Sequence, residues 1–241
     1  MTMRTMSGKS ALALAAGLLL VVALSWPHLA ASRVGEDMSP KLHKLQQLDM
    51  VLTRDVLRVA IGHLRHYDTL DATNRDIDRL SADLSLSLER DKGAVELRRT
   101  IEAYRALHAR RADGIERFKT AVARLRNSAQ HFPRVVGAFF SERLSDGPTD
   151  DKLAIELKAL LTDVLVQQIS HDAQRTAELK RRVHALSAQA YRKRKLVDPE
   201  LLIVTKHANV IVTERAKVEE MVARLASQQG AGMLRHVMVG R

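Results

Sequence analysis

The chain has no cysteine, 3% aromatic residues, 5 prolines and 11 glycines among its 241 residues. Without thiols there are no disulfides and no thiolate metal sites, and the redox state of the compartment leaves no trace in the sequence. Scarcity of aromatics, proline and glycine disfavours sandwiches and barrels, while the recurring Ala and Leu suit helix bundles. Also missing are a glycine-rich phosphate loop, a nucleophile elbow and an HExxH zinc helix, so an enzyme is not expected and no cofactor is implied. No useful length alternates with period two, which excludes a sheet from the expectation.

What the chain does contain is core material and positive charge. Hydrophobic residues make up 46%, enough for one sizeable domain or two small ones. A net charge of +11 and a pI of about 10.2 would attract anionic surfaces, either nucleic acid or phospholipid headgroups. The basic residues are scattered rather than gathered in one block, the pattern of solvated helical faces.

After a short leader, residues 1–9, an uncharged run extends from Ser10 to Ser32, bounded by Lys9 and Arg33. It matches the roughly 20 apolar residues that a membrane-spanning helix needs. Arg4 and Lys9 would hold the leader in the cytoplasm, Trp26 suits the interface, and Pro27 would end the helix. A cleaved signal peptide is the competing reading, because the strongly apolar part, Ala11–Leu24, has the length of a secretory core. The uncleaved anchor is preferred, since "HLAAS" lacks a good small-x-small site. Either way the bulk of the chain is expected outside the cytoplasm, and the preferred reading is a single-pass membrane protein. That placement argues against nucleic acid as a partner.

The body, residues 40–228, reads as long amphipathic helices. Leu42, Leu45, Leu48, Leu52, Val56, Val59, His63 and Tyr67 recur at steps of three and four, predicting one helix of about 27 residues. A second is expected over Asp71–Glu89, with Ile77, Leu80, Leu84 and Leu88 on its stripe. The third runs over Ala94–Gln130, with Gly114 as a candidate bend and "HFP" as its end. A short piece, Arg134–Leu144, then leads into the loop "SDGPTDD". Two more helices follow, Lys152–Ser170 and Ala173 to about Leu196. In "VDPE", Asp198 suits a cap, Pro199 the first helical position and Glu200 the dipole, opening a helix to about Ala226. The expected fold is all-α, a bundle of long antiparallel helices in two modules, 40–144 and 150–228, with an irregular tail over 229–241.

Charged residues near the stripes are the candidate recognition groups. His63 and His66 lie three apart, but no third ligand stands at matching spacing, so they read as ordinary polar residues with His63 partly packed and no metal site. Asp55 precedes Val59 by four rather than a basic residue, so a local ion pair is not expected to account for it. Arg54, Asp55, Arg58 and Arg65, if turned inward, need partners from another helix, and Arg124, Arg126, Asn127 and Ser128 are the obvious candidates. Tyr67 and Asp68 close a helix just before "DATN", where an aspartate would cap the next helix or bond its own turn; contact with a ligand is the other reading.

The segments "LDMVLTRDVLRVAIGHLRHYDTL", "GIERFKTAVARLRNSAQHFP" and "LLIVTKHANVIVTERAKVEEMVARL" together resemble the three blocks of the double all-helical ligand-binding (DAHL) domain, the periplasmic input region of VirA-like sensor histidine kinases. The resemblance spans about Leu45 to Leu225. It places Arg54 and Asp55 on the family's Arg-Asp pair, Tyr67 and Asp68 on its Tyr-Asp pair, and Phe118 and Lys119 on its Phe-Lys pair. Arg126, Asn127 and Ser128 fall on its Arg-Asn-Ser, and His207 on its histidine near the last block. It implies a non-enzymatic, membrane-anchored sensor, a homodimer, that receives a small molecule or a periplasmic binding protein. Two departures stand out. Thr69 replaces the proline that usually follows the Tyr-Asp pair, and the chain reads "ASQQGAGMLRHVMVGR" after Leu225 where the family continues into a last helix, a second span and a kinase. By that comparison the chain is expected to be an input domain without its kinase: a truncated receptor or a stand-alone protein. The alternative is a membrane-tethered basic helical protein that binds a protein partner or an anionic surface.

Overall fold

The computed structural model describes residues 38–89, 94–145, 151–169, 173–192, 198–228, 230 and 234. Among these the chain is helical throughout its regular structure, with no strand. The helices are α1 (38–60), α2 (Asp68–Glu89), α3 (Val95–Ser145), α4 (Asp151–Ile169), α5 (Ala173–Arg192) and α6 (Pro199–Ser227). The predicted membrane segment, residues 10–32, lies outside the described residues, as does the loop over 146–150. Among the described residues no helix is long and apolar enough to cross a membrane.

Most apolar residues of the stripes read from the sequence bury, while Leu48 and Leu80 are half-buried. Leu42, Leu45, Leu52, Val56 and Val59 of α1 are buried, as are Ile77, Leu84 and Leu88 of α2 and Leu179, Val183, Leu186 and Ala190 of α5. At roughly 1.5–3 kcal/mol for each fully buried large aliphatic side chain, these stripes, rather than intrinsic propensity, hold the helices in place.

Three boundaries differ from expectation. Helix α1 stops at residue 60 instead of reaching Tyr67, because Gly62 adopts φ +82°, a left-handed conformation that only glycine takes without strain. His63, expected to be partly packed, is therefore exposed on the connection, and His66 with it. Second, α2 begins at Asp68, three residues before the predicted start. Third, "HFP" does not end α3, which carries Pro133 inside its 51 residues and absorbs the separate piece predicted over 134–144. A proline in a helix interior costs about 3 kcal/mol. Here Pro133 faces solvent while Phe132, Val136 and Phe139, at steps of four and three, are buried to within 1% of complete and offset that cost.

The start of α6 follows the sequence reading. Asp198 accepts a hydrogen bond from the Leu201 backbone N–H at 3.0 Å, Pro199 is the first helical residue, and Glu200 lies in the first turn.

The chain separates into two compact units, and the cuts fall inside α1, α2 and α3, not at the loop over 145–150. One unit lies within Met1–Leu52, Ala72–His108 and Gln229–Arg241. Its core includes Leu45, Ile77, Leu84 and Ile101. The tail expected to be irregular contributes a buried, helical Leu234, whose N–H bonds the Gly230 carbonyl at 3.3 Å. Gly230 itself lies so close to the Tyr104 ring that a Cβ there would meet it at 2.4 Å. The other unit, Thr53–Asp71 and Ala109–Gln228, holds the rest of α1, the α1–α2 connection, most of α3, and α4, α5 and α6, which pack on one another.

Candidate functional site

Within the second unit, the connection between α1 and α2 is held against α3 by a dense polar cluster. Gly62 turns the chain, its N–H bonds the Val59 carbonyl at 3.1 Å, and the Leu64 N–H returns to the Arg58 carbonyl at 3.1 Å. The last carbonyls of a helix lack intrahelical donors; here the connection serves Arg58 and Val59, and α3 adds a second donor to Val59 and reaches the carbonyls beyond it. Arg126 donates from Nη2 to the carbonyls of Val59 and Leu64, both at 2.8 Å, and from Nη1 to that of Arg65 at 3.1 Å. Its planar fork reaches several acceptors at once while placing a cation at the negative end of the α1 dipole.

Tyr67 fills the next position. Its hydroxyl donates to the backbone carbonyl of Lys119 at 3.3 Å, and its ring centroid lies 6.0 Å from both the Lys119 ammonium and the Arg126 guanidinium. At that separation cation–π attraction is weak, so the ring serves mainly as a spacer between the two cations. Lys119 ends in a fork of carboxylates, Asp71 at 2.8 Å and Glu116 at 2.7 Å. Burial of the ammonium is the largest single influence and lowers its pKa, but the bonds to Asp71 and Glu116 together outweigh it and hold Lys119 above the ordinary lysine value.

The predicted pairs thus divide. Tyr67 turns toward α3 and its carbonyl accepts the first bond of α2, from the Asp71 N–H at 3.1 Å, which makes Tyr67 the residue flanking the helix start. Asp68 is exposed in the first turn, one residue inside the position expected for a cap. Thr69, where the family carries proline, is exposed in the same turn. Phe118 is fully buried beside half-buried Lys119. Arg126 is half-buried, Ser128 buried and Asn127 exposed. Arg65 is exposed and contributes its backbone carbonyl rather than its guanidinium.

Asp55 is explained locally, contrary to expectation. It is buried, with Arg54 at 3.1 Å and Arg58 at 3.6 Å, both from its own helix and both largely exposed. Arg58 stands three residues on, the spacing at which helical neighbours meet. His207 on α6 is half-buried and faces His131 of α3, with ring centroids 6.2 Å apart. Burial first, then the neighbouring His131 and Lys206, lowers its pKa below the ordinary histidine value. Two acids that complete the cluster, Asp71 and Glu116, were not among the sequence candidates; Glu116 stands three residues before Lys119, a spacing that could have flagged it.

Tyr67, Lys119 and Arg126 therefore spend their polar atoms on backbone carbonyls or on Asp71 and Glu116, so the arrangement fixes a helix corner. A separate concavity of about 430 Å³ in the same unit lies between α3 and α6. Another of about 140 Å³, between α4 and α5, is crossed by the Arg182–Asp163 ion pair and the Gln167–Thr176 hydrogen bond.

Neither a curated protein nor a solved structure matches the chain. The family model of the DAHL domain matches residues 36–237, the whole body, and that family is one of sensory ligand-binding domains. Together with the all-helical fold, this match establishes that the chain belongs to the DAHL domain family.

Proposed function

We propose that this chain is the extracytoplasmic, ligand-sensing input domain of a membrane-anchored two-component sensor, and that it binds rather than transforms its ligand. The observation that carries the reading is the family match over residues 36–237. The uncharged run Ser10–Ser32, with Arg4 and Lys9 before it, supports an inner-membrane anchor and a periplasmic body. The ligand is a small molecule or a periplasmic binding protein, and the working unit is a homodimer. The locked α1–α2 corner suits such a device, because packed elements that hold their shape can carry a ligand-induced shift from one site to another.

Two measurements test this. An alkaline phosphatase fusion after residue 241 should be active in cells, which an internal placement would prevent. A thermal-shift screen of the full chain in nanodiscs against small organic molecules should find one that raises the melting temperature, since selective binding to the folded state stabilises it. Absence of any such compound, together with capture by a periplasmic binding protein also absent, would overturn the reading. The net charge of +11 favours one competing function, tethered binding to an anionic surface. Salt-sensitive adsorption to anionic vesicles, with no ligand-induced stabilisation, would favour that competitor.

A further inference from the structure

The concavity between α3 and α6 combines cations on its rim with an apolar floor. Arg110, Asp113, Gly114 and Arg117 line it from α3, and Met221, Arg224 and Leu225 from α6. The α3 residues stand three, one and three apart, which gathers them on one helix face. Gly114 has no side chain, and a Cβ there would meet Leu225 Cδ2 at 3.1 Å. Leu225 therefore sits directly on the α3 backbone and is 98% buried, so the floor is recessed beneath its rim.

Three guanidinium groups stand on that rim against the single carboxylate of Asp113. Arg224 is engaged by Glu220 at 2.6 Å. Among the described residues, Arg110 and Arg117 make no ion pair, and both are exposed. Lys119, by contrast, is matched by Asp71 and Glu116. Two unmatched guanidiniums about two turns apart on one helix, beside a thioether and a recessed leucine, present complementary chemistry to an anionic head with an apolar body. The volume of about 430 Å³ lies in the range of small-molecule sites and is too small for a protein surface.

We propose that this groove binds a soluble organic anion, its carboxylate or phosphate held by Arg110 and Arg117 and its apolar body lying on Met221 and Leu225. The inference rests on the sensory reading above and assigns it a place and a ligand class. Full-length chain in phosphatidylcholine nanodiscs, labelled with methyl-¹³C methionine and with Met221 identified by Met221→Leu, provides a local reporter. Titration with octanoate should shift the Met221 resonance saturably, while octanol and octylammonium at equal concentration should not. An Arg110→Gln, Arg117→Gln double variant, altered only at exposed side chains, should bind octanoate about tenfold or more weaker while melting as the parent does.

An unmoved Met221 resonance, or equal shifts from octanol, overturns the assignment. So does the same shift from phosphatidylglycerol nanodiscs without octanoate, which would make the occupant a lipid. If the screen yields a stabilising compound whose affinity is indifferent to the double variant, this groove is excluded as the ligand site while the sensory reading stands.

Discussion

Arg126 reaches across from α3 to donate a 2.8 Å hydrogen bond to the carbonyl of Val59, at the end of α1. The same guanidinium serves Leu64 and Arg65, so one side chain ties the end of α1 and the connection beyond it to α3. Arg126→Ala should lower the free energy of unfolding by about 2 kcal/mol, the scale of hydrogen bonds from a charged donor to partly buried acceptors. Arg126→Lys should recover less than half of that loss, because a point charge cannot spread over the same acceptors. Urea denaturation of the two variants checks both numbers, and equal stability of Arg126→Lys and wild type would refute the fork argument.

Lys119 gives the corner an alkaline limit. Its folded-state pKa lies above the ordinary lysine value of 10.5, so the folded form holds its proton more tightly than the unfolded form does. The resulting stabilisation is complete below pH 10.5 and is lost as pH rises through the higher folded value. Melting curves taken upward from pH 9 should fall more steeply in wild type than in Lys119→Met. Parallel curves would show that Asp71 and Glu116 do not sustain the ammonium.

His207 behaves in the opposite sense on the acid side. Its folded pKa is depressed below 6.5, so the unfolded chain takes up a proton first as pH falls. Stability should be complete above pH 6.5, decline below it, and level off beneath the folded value. His207→Gln should flatten that part of the profile. His131 and Lys206 are the neighbours that contribute, after burial, and His131→Gln should flatten it in part.

The two aspartates at helix starts should differ. Asp198 bonds the Leu201 N–H, so Asp198→Ala should cost about 1 kcal/mol, the usual value for a lost cap. Asp68 lies inside the first turn and is exposed, which leaves it only an interaction with the dipole; Asp68→Ala should cost about 0.3–0.5 kcal/mol. Thermal unfolding of both variants decides it, and an equal loss would mean that Asp68 caps α2 after all.

That contrast also marks what the sequence could and could not reveal. Helix identities were legible because apolar residues three and four apart leave a stripe that must bury, and "VDPE" carries its cap in the order of its letters. The end of α1 was hidden because the stripe continues through His63 and Tyr67 while a single φ angle at Gly62 diverts the chain. Pro133 misled because a local penalty is visible in sequence and the burial of Phe132 and Phe139 that outweighs it is not. The resemblance picked out Tyr67, Lys119 and Arg126, but their joint task depends on contacts across more than fifty residues of chain, from Tyr67 to Lys119 and from Val59 to Arg126. Glu116 and Arg58, by contrast, were within reach of simple helical spacing.

Gly62 stands in open space, with no atom within 4 Å of where a Cβ would be. Steric bulk is therefore irrelevant at this residue and handedness is everything. An L-alanine would carry only torsional strain, whereas its mirror image, introduced by chemical ligation, would sit at ease and restrict the unfolded chain. The corner thus requires that one atom carry no L side chain, a requirement separable from the packing contacts around it.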